Sequence, residues 1–424
     1  GLMVQQQLQV SLENHKNDKI YQDEIKKVFL KDIINIETSK VSVNDVDVRD
    51  YVSTENMISN LGGIFESDNK PLNGNITKFQ KDDILISNIR PYLKKIWISN
   101  KEGGCSSDIL VFRTKYDVID NKYLFYLLCS DRFFNYVMST SKGTKMPRGT
   151  PKAIMKYFVP DVDINVQKKI ANILSRYDEA IDNNNKRIKL LEQMAQNLYK
   201  EWFVRFRFPG YENSEFENGI PVGWNIQKLE DFGIVLESGS RPSGGVDINL
   251  EEGIPSLGAE CIKGLAEFDY SNIKYIPLEF YDKMKRGKNK GNHILLYKDG
   301  AYIGKVTLFR NQFPFKKYAI NEHVFFLNSK NGNYLNWLFF TLKQDSYFNL
   351  MQNLNRNAAQ PGLSQPDICR IKIRIPQEDI VIKFNQIVEP ILNTVFYLAK
   401  ANQTLAKQRD LLLPRLMSGK LEVK

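Results

Sequence analysis

Two heptad seams constrain this chain more than any other feature. Read in steps of four and three from Ile170, the sequence gives Leu174, Tyr177, Ile181, Asn184, Ile188, Leu191, Ala195, Leu198 and Trp202. The same spacing returns in Phe384, Val388, Ile391, Val395, Leu398, Asn402, Leu405, Arg409, Leu412 and Leu416. An a/d repeat sustained over this length winds two helices together. Laid antiparallel with these ends matched, the helices set Asn184 opposite Asn402, and a facing Asn pair in an apolar seam fixes register at some cost in stability. The plainer alternative is two amphipathic helices packed on separate cores. About 33 residues from Ile170 to Trp202, at roughly 1.5 Å each, make a rod near ~50 Å. Two features break the pattern: Pro390 should kink the second helix, and Arg409 occupies a seam position.

The segments outside the seams repeat each other. Residues 5–20 are polar and read as a frayed helix or arm, and Gly1 and Leu2 ahead of Met3 look like an appended remnant. From Ile25 to about Pro160 the texture is that of short strands, with Val28–Ile36, Ile84–Ile89, Ile96–Ser99 and Ile109–Arg113 as candidates. One helix is expected over Asn121–Ser139, then a loop Ser141–Thr150, then the first seam helix, ended by Phe208-Pro209-Gly210. From Pro221 the programme restarts. Leu30-Lys31-Asp32-Ile33 is answered by Leu229-Glu230-Asp231-Phe232, and the phrase from Val52 to Met57 by Leu257 to Ile262. Lys81–Ser87 matches Lys298–Gly304, Asp108–Phe112 matches Glu322–Phe326, and Tyr123-Leu124 matches Tyr334-Leu335. Pro147 and Pro361, Ile170 and Phe384, and Leu174 and Val388 are each 214 residues apart, so each seam helix closes one copy. The class is α+β: two mixed domains in tandem repeat, separated by two long helices. The divisions fall at 1–162, 163–208, 209–377 and 378–424.

Chemistry is conspicuous by its absence. Gly300-Ala301-Tyr302-Ile303-Gly304-Lys305-Val306 is a residue short of a phosphate-binding loop, lacks the hydroxyl that would hold magnesium, and fits a buried strand as well. No Asn-Pro-Pro-Tyr or Asp-Pro-Pro-Tyr set occurs, and no Gly-rich dinucleotide fingerprint follows a strand. Asp120-Asn121-Lys122 has nuclease-like letters, but such triplets recur by chance. The four cysteines lack a C-x-x-C pair and there are only three histidines, which leaves no zinc constellation and fits a reducing cytoplasm. No apolar run approaches bilayer length, and no signal-peptide core is visible at the N-terminus. The chain reads as catalytically empty, with no cofactor or metal of its own.

The positive signals are for nucleic acid. A net charge of +10 leans toward a polyanionic partner. The stretch from Lys283 to His293 carries Lys285, Arg286, Lys288 and Lys290 as candidate phosphate ligands; its plainer reading is a solvated loop. In the first copy, Ser87–Lys95 offers Asn88, Arg90 and Lys94 where a loop can enter a groove, or else a strand end with a basic rim. The loop before each final strand is the most informative pair. The first copy has Lys142, Lys145 and Arg148; the second has Asn355, Arg356, Asn357 and Gln360. Arg pairs with guanine and Asn or Gln with adenine in bidentate geometry, so differing letters on one frame suit domains that read different bases. A phosphate-binding or structural role stays open for each residue alone.

At Leu190-Leu191-Glu192-Gln193-Met194-Ala195-Gln196-Asn197-Leu198-Tyr199-Lys200-Glu201-Trp202-Phe203 the chain resembles the central conserved region of Type I restriction–modification specificity subunits. Leu411–Gly419 is similar to their C-terminal conserved region, and Pro221-Val222-Gly223-Trp224 to the entry of their second target-recognition domain. The resemblance spans nearly the whole chain. It implies two target-recognition domains on an antiparallel coiled coil, each reading one half of a bipartite, asymmetric site in double-stranded DNA. It also implies a non-enzymatic cytoplasmic subunit. Its partners would be two modification subunits that bind S-adenosylmethionine and methylate adenine, and restriction subunits that use ATP and magnesium. The rod would then act as a ruler between half-sites about one turn, roughly 34–36 Å, apart. Two rivals stay open: a DNA enzyme whose active site is unread, and a coiled-coil scaffold whose domains bind protein.

Overall fold

The computed structural model describes residues 27–115, 118–245, 250, 252–270, 273–300, 303–354, 362–418 and 421, with Lys27 described in its backbone only. They form two compact units. Unit 1 holds the residues up to Glu179 together with those from Leu405, and unit 2 holds Ala180–Thr404.

In unit 1, β1 (Lys27–Phe29) runs into one helical turn, α1 (Leu30–Ile33), and then β2 (Ile34–Ile36). The continuous strand expected over Val28–Ile36 is therefore broken. Leu30 and Ile33 are both buried, and side chains three apart share a face on a helix but oppose each other on a strand. Next come β3 (Lys40–Ser42), β4 (Tyr51–Val52), β5 (Asn75–Phe79), β6 (Ile84–Ser87), β7 (Ile96–Ile98), β8 (Gly103–Cys105) and β9 (Ile109–Thr114). They build an antiparallel sheet, β2–β9–β6–β7, and a second sheet, β3–β5–β8–β4, in which β4 and β8 are parallel. Leu85 and Val111 of the first sheet meet Val52 and Phe79 of the second. Ile84, Ile86 and Phe112 face the helices instead, so both faces of this sheet are buried.

The single helix expected over 121–139 is two helices, α2 (Asn121–Leu128) and α3 (Asp131–Ser139). Ser130 restarts the helix: its hydroxyl accepts the Phe133 N–H, and Asp131 sits in the first turn. After α4 (Pro151–Ile154), β10 (Phe158–Pro160) pairs with β1 and leads into α5 (Ile164–Tyr199). Asp163 opens α5 by accepting the Asn165 N–H at 2.8 Å, and neither Gly nor Pro interrupts its 36 residues.

Unit 2 begins with a short hairpin, β11 (Phe216–Glu217) and β12 (Ile220–Pro221), and then repeats the opening of unit 1 as β13 (Asn225–Lys228), α6 (Leu229–Phe232) and β14 (Ile234–Ser238). The next elements are β15 (Ile254–Leu257), β16 (Lys274–Ile276), α7 (Leu278–Lys283), β17 (His293–Tyr297), β18 (Val306–Phe309), β19 (Ala319–Ile320) and β20 (Val324–Ser329). α8 (Leu335–Leu342), α9 (Asp345–Asn353), α10 (Gln365–Cys369), β21 (Lys372–Ile375) and α11 (Glu378–Met417) complete the chain. The sheet β14–β20–β17–β18 has the connectivity of β2–β9–β6–β7, and β21 pairs with β13 as β10 does with β1. The second sheets differ: β15 carries β16 on the edge that β4 leaves open.

Hydrogen bonds fix the repeat residue by residue. Leu30 N–H donates to Tyr157 and Leu229 N–H to Ile371, both at 2.9 Å, so that sequence match holds. The Val52–Leu257 match holds too, since Ser106 donates to the first carbonyl and Asn321 to the second. Three matches are corrected. Tyr123 is the third residue of α2 whereas Tyr334 precedes α8, and the 214-residue interval from Asp131 of α3 to Asp345 of α9 sets Tyr123-Leu124 against Trp337-Leu338. Ser87 pairs with Ile109 and Tyr297 with Val324, so Lys81–Ser87 corresponds to residues 291–297, and Asp108 to His323 rather than Glu322. Lys298 instead follows the end of β17, and Gly304 N–H returns to Tyr297 O; Ile303 and Gly304 are not part of a strand. The one-residue slip has a simple cause. Four successive residues at the start of β9 and of β20 are buried, so no polar–apolar alternation marks the register.

The seam helices do pack on each other. In unit 2 the Tyr199 ring lies 6.4 Å from Phe384, while Asn184 Nδ2 donates to Asn402 Oδ1 at 2.8 Å and Asn402 Nδ2 to Asn185 Oδ1 at 2.8 Å. As numbering falls along α5 it rises along α11: the pair is antiparallel. Ala195, Val388, Val395 and Leu398 are buried in this core. In unit 1, Leu413 and Leu416 join Ile170 and Leu174. α11 continues as helix through Pro390. α5 gives way to one wide turn, Lys200–Val204, with Arg205 N–H bonded to Lys200 O. The extra residue per turn lets Trp202 and Phe203 both reach an aromatic core with Phe384, Trp224 and Trp337.

Candidate nucleic-acid interface

Two segments of unit 1, far apart in sequence, are stitched into one surface at the end of β6. Asn88 N–H donates to Asp108 O at 2.7 Å, Gly149 N–H to Asn88 O at 2.9 Å, and Arg90 N–H to Pro147 O at 2.8 Å. The loop 142–148 closes on itself through reciprocal 2.9 Å bonds between Lys142 and Arg148. Arg90 and Lys94 flank a tight turn at Pro91–Leu93 with φ of 48° and 49°. Two non-glycine residues in the left-handed region within five positions is uncommon, and such backbone is held only where its surroundings fix it.

The side chains sort by what holds them. Arg90, Lys142 and Lys145 are exposed and make no ion pair among the described residues, and Tyr92 and Met146 are exposed beside them in the sequence. Lys94 Nζ lies 2.5 Å from Asp131, and Arg148 lies 2.6 Å from Asp108. Burial and nearby Arg90 hold Lys95 below the ordinary lysine range, and its ammonium donates to Thr54 O at 2.6 Å. Asn88 is buried beneath the loop, its Oδ1 without a hydrogen-bond partner. A Cβ on Gly149 would lie 2.7 Å from that oxygen, so glycine lets the loop settle there.

Unit 2 builds the same frame with other letters. Lys298 N–H donates to His323 O at 3.0 Å, Leu363 N–H to Lys298 O at 2.9 Å, and Asp299 bridges Gly362. These are the counterparts of Asn88, Asp108, Gly149, Ile89 and Arg148. Where unit 1 sets Arg148 on Asp108, unit 2 sets His323 Nδ1 3.1 Å from Asp299, with Glu322 pairing Arg241 at 2.6 Å. Asn355, Arg356, Asn357 and Gln360 lie outside the described residues.

The basic stretch after α7 is only partly free. Lys285 and Arg286 are exposed with no ion pair among the described residues. Lys288 donates to Asp282 O and sits 4.9 Å from the Tyr281 ring centre, while Lys290 lies 3.7 Å from Glu237. Gly287, at φ +75°, passes so close to Gly239 that a Cβ would come within 2.6 Å of its Cα. Sequence reading missed Lys316 and Lys317. Asn289 draws them in, donating to Lys316 O and accepting from Tyr318 N–H, and Lys317 takes a place 4.6 Å from the Tyr281 ring centre. The adjacent lysine pair was a visible signal; its distance from the main cluster in sequence hid it.

Among the described residues no three His, Cys, Asp or Glu side chains gather as a metal site, and no helix is long and apolar enough to cross a membrane. The four cysteines are free, with burial pushing Cys105 up to about 12.

Comparison with known proteins agrees with this architecture. The profile of the Type I restriction modification DNA specificity domain matches residues 22–193 and again 221–401. The chain belongs to that family. It is 29% identical over 313 residues to the Type I restriction enzyme MjaIX specificity subunit of Methanocaldococcus jannaschii, covering 72% of this chain and 70% of that one. It is 22% identical over 452 residues to the HindI specificity subunit of Haemophilus influenzae, covering 88% and 94%. Among solved structures, the Type I restriction–modification S subunit from M. genitalium aligns with a TM-score of 0.54 at 15% identity, covering 93% of this chain and 96% of that one, a likeness of fold.

Proposed function

We propose that this chain is the DNA-recognition subunit of a Type I restriction–modification complex, each half reading one part of a bipartite, asymmetric site. The observation that carries this is the shared frame with changed letters. Two equivalent backbone contacts hold the return loop to the sheet end in both units and a third ties that end to the segment before the next strand, while the side chains around them differ: Arg148 with Asp108 in one, His323 with Asp299 in the other. A conserved scaffold with variable polar groups is what two readers of different base sequences need.

On this reading 1–162 and 209–377 are target-recognition domains, and 163–208 and 378–424 are spacer helices. α5, at 36 residues and about 1.5 Å each, is about 54 Å long, enough to set half-sites roughly one DNA turn apart. The chain itself is non-catalytic. Two modification subunits supply adenine methylation from S-adenosylmethionine, and restriction subunits supply ATP- and magnesium-dependent cleavage in the cytoplasm.

The test is genome-wide adenine methylation in a host that lacks the system, expressing this chain with its modification subunit. A split motif with a fixed gap, appearing only when this chain is present, is the expected result. A stable co-purified complex that adds no methylation would overturn the reading.

A further inference from the structure

The seam contains polar side chains that the internal repeat does not repeat. In unit 1, Arg409 of α11 places Nη1 2.5 Å from Asp178 Oδ1 of α5 and Nη2 2.8 Å from Asp410, and the other Asp178 oxygen accepts the hydroxyl of Tyr126 from α2. In unit 2 the Asn184–Asn402 bond, with Asn185 beside it, plays the corresponding part.

Each position has a counterpart 214 residues away, the interval that relates Ile170 to Phe384 and Leu174 to Val388. Tyr126 becomes Phe340, Asp178 becomes Leu392 and Arg409 becomes Ala195, and all three counterparts are fully buried in the core of unit 2. Asn184 becomes Leu398, and Asn402 becomes Ile188, again both buried. The polar contacts are therefore each written once, on a framework written twice.

That asymmetry discriminates between partners. Two copies of the α5 seam laid antiparallel in the same register would face Asp178 with Ala195 and Asn184 with Ile188. Two copies of the α11 seam would face Arg409 with Leu392 and Asn402 with Leu398. Either like-with-like pairing sets a charge and an amide against apolar side chains, leaving Asp178 only the Tyr126 hydroxyl or Arg409 only Asp410, whereas α5 with α11 joins the two charges and the two amides. A single buried Asn is enough to specify coiled-coil pairing, and here a charge pair is added to it.

We propose that Tyr126, Asp178, Arg409 and the Asn184–Asn402 pair form a pairing code, through which α5 accepts a helix of the α11 type and rejects the α5 helix of a second copy of this chain. The repeat makes like-with-like pairing geometrically available; the code makes it unfavourable. One chain is thereby committed to one domain of each kind.

The test uses full-length chains. Asp178→Lys alone, or Arg409→Glu alone, sets like charges together within a chain and should lower Tm by roughly 5 °C. Asp178→Lys and Arg409→Glu combined in one chain restore opposite charges, and most of that loss should return. The discriminating experiment co-expresses the two single variants under different tags. Only exchange of C-terminal helices brings the introduced lysine to the introduced glutamate while rejoining native Asp178 with native Arg409. A 1:1 mixed-tag dimer, scored by two-step capture and light scattering, should be enriched at least tenfold over wild-type chains under the same two tags. Folded single variants with no enrichment would overturn the proposal. So would a combined variant no more stable than its parents, which decides the matter if a single variant does not fold.

Discussion

Sorting the cations by what holds them makes a quantitative prediction about DNA binding. Lys142 and Lys145 in unit 1 and Lys285 and Arg286 in unit 2 are exposed with no acidic partner among the described residues. Four others are engaged: Lys94 by Asp131, Arg148 by Asp108, Lys288 by the Asp282 carbonyl and Tyr281 ring, and Lys290 by Glu237. Arg90 is left aside, because its left-handed backbone makes any substitution conformational as well. A free cation that neutralises a phosphate adds about 0.9 to the slope of log affinity against log salt, so alanine at the four free positions should make the slope shallower by roughly 3.6. Between about 50 and 200 mM salt the variant should then lose on the order of a hundredfold less affinity than the wild type. A cation already neutralised by its own carboxylate displaces little extra salt, and Lys288, which keeps its charge, accounts for most of what remains in the engaged set. Alanine at the four engaged positions should shift the slope by roughly 1 or less. The assay is fluorescence anisotropy of a labelled duplex titrated with the complex of this chain and its modification subunits. Equal slope changes from the two sets, or none from the free set, would refute the reasoning.

Other expectations follow from single contacts. The Arg310 side chain is 2% exposed and that of its partner Glu389 44% exposed, so Glu389→Ala leaves a buried cation with only the Asn336 and Asn393 amide oxygens and should cost about 2–3 kcal/mol, whereas Arg310→Leu leaves a carboxylate that water can reach and should cost about 1. Urea melts followed by tryptophan fluorescence will report this, since Trp202, Trp224 and Trp337 are in unit 2; equal costs would contradict the exposure argument. His293, stacked 4.5 Å from Phe326 and accepting the Lys290 N–H, is pushed down by burial to about 4. The unfolded chain then binds more protons between the ordinary 6.5 and 4, so stability falls as pH drops through that window, by at most about 3 kcal/mol. His293→Phe should flatten that part of the stability profile, and an unchanged slope would argue against it. Seven residues added to each seam helix lengthen it by about 10.5 Å and should widen the methylated motif by roughly three base pairs. Altered half-sites with an unchanged gap would sink the ruler.

What the sequence disclosed follows from which signals are local. The 3.5-residue period of the seams and the Asn184–Asn402 register are visible because helix packing is written in neighbouring turns. The repeat was visible as a series, yet Asp108 was set against Glu322 because a strand buried on both faces has no alternation to anchor it. The break at Ser130 was hidden in a run that is apolar on both sides. The interface was legible as two basic loops, but not as one surface. The bonds that join residues 88–90 to 147–149, and the acids that occupy Lys94 and Arg148, come from distant parts of the chain. Asn88 illustrates the limit: its residue type suits base reading, and its backbone position puts it under the loop instead.

The discontinuity of unit 1 also has a meaning in time. Its core includes Leu413 and Leu416 beside Ile170 and Leu174, so a chain emerging from a ribosome must first deliver all of residues 180–404. At about 5–20 residues per second that is a wait of roughly 10–45 s. During it the apolar stripe of the first half is exposed, and a message cut short leaves it exposed for good. A chain cut short before Leu405 lacks the helix end that covers Ile170 and Leu174, and apolar surface left open in this way promotes aggregation.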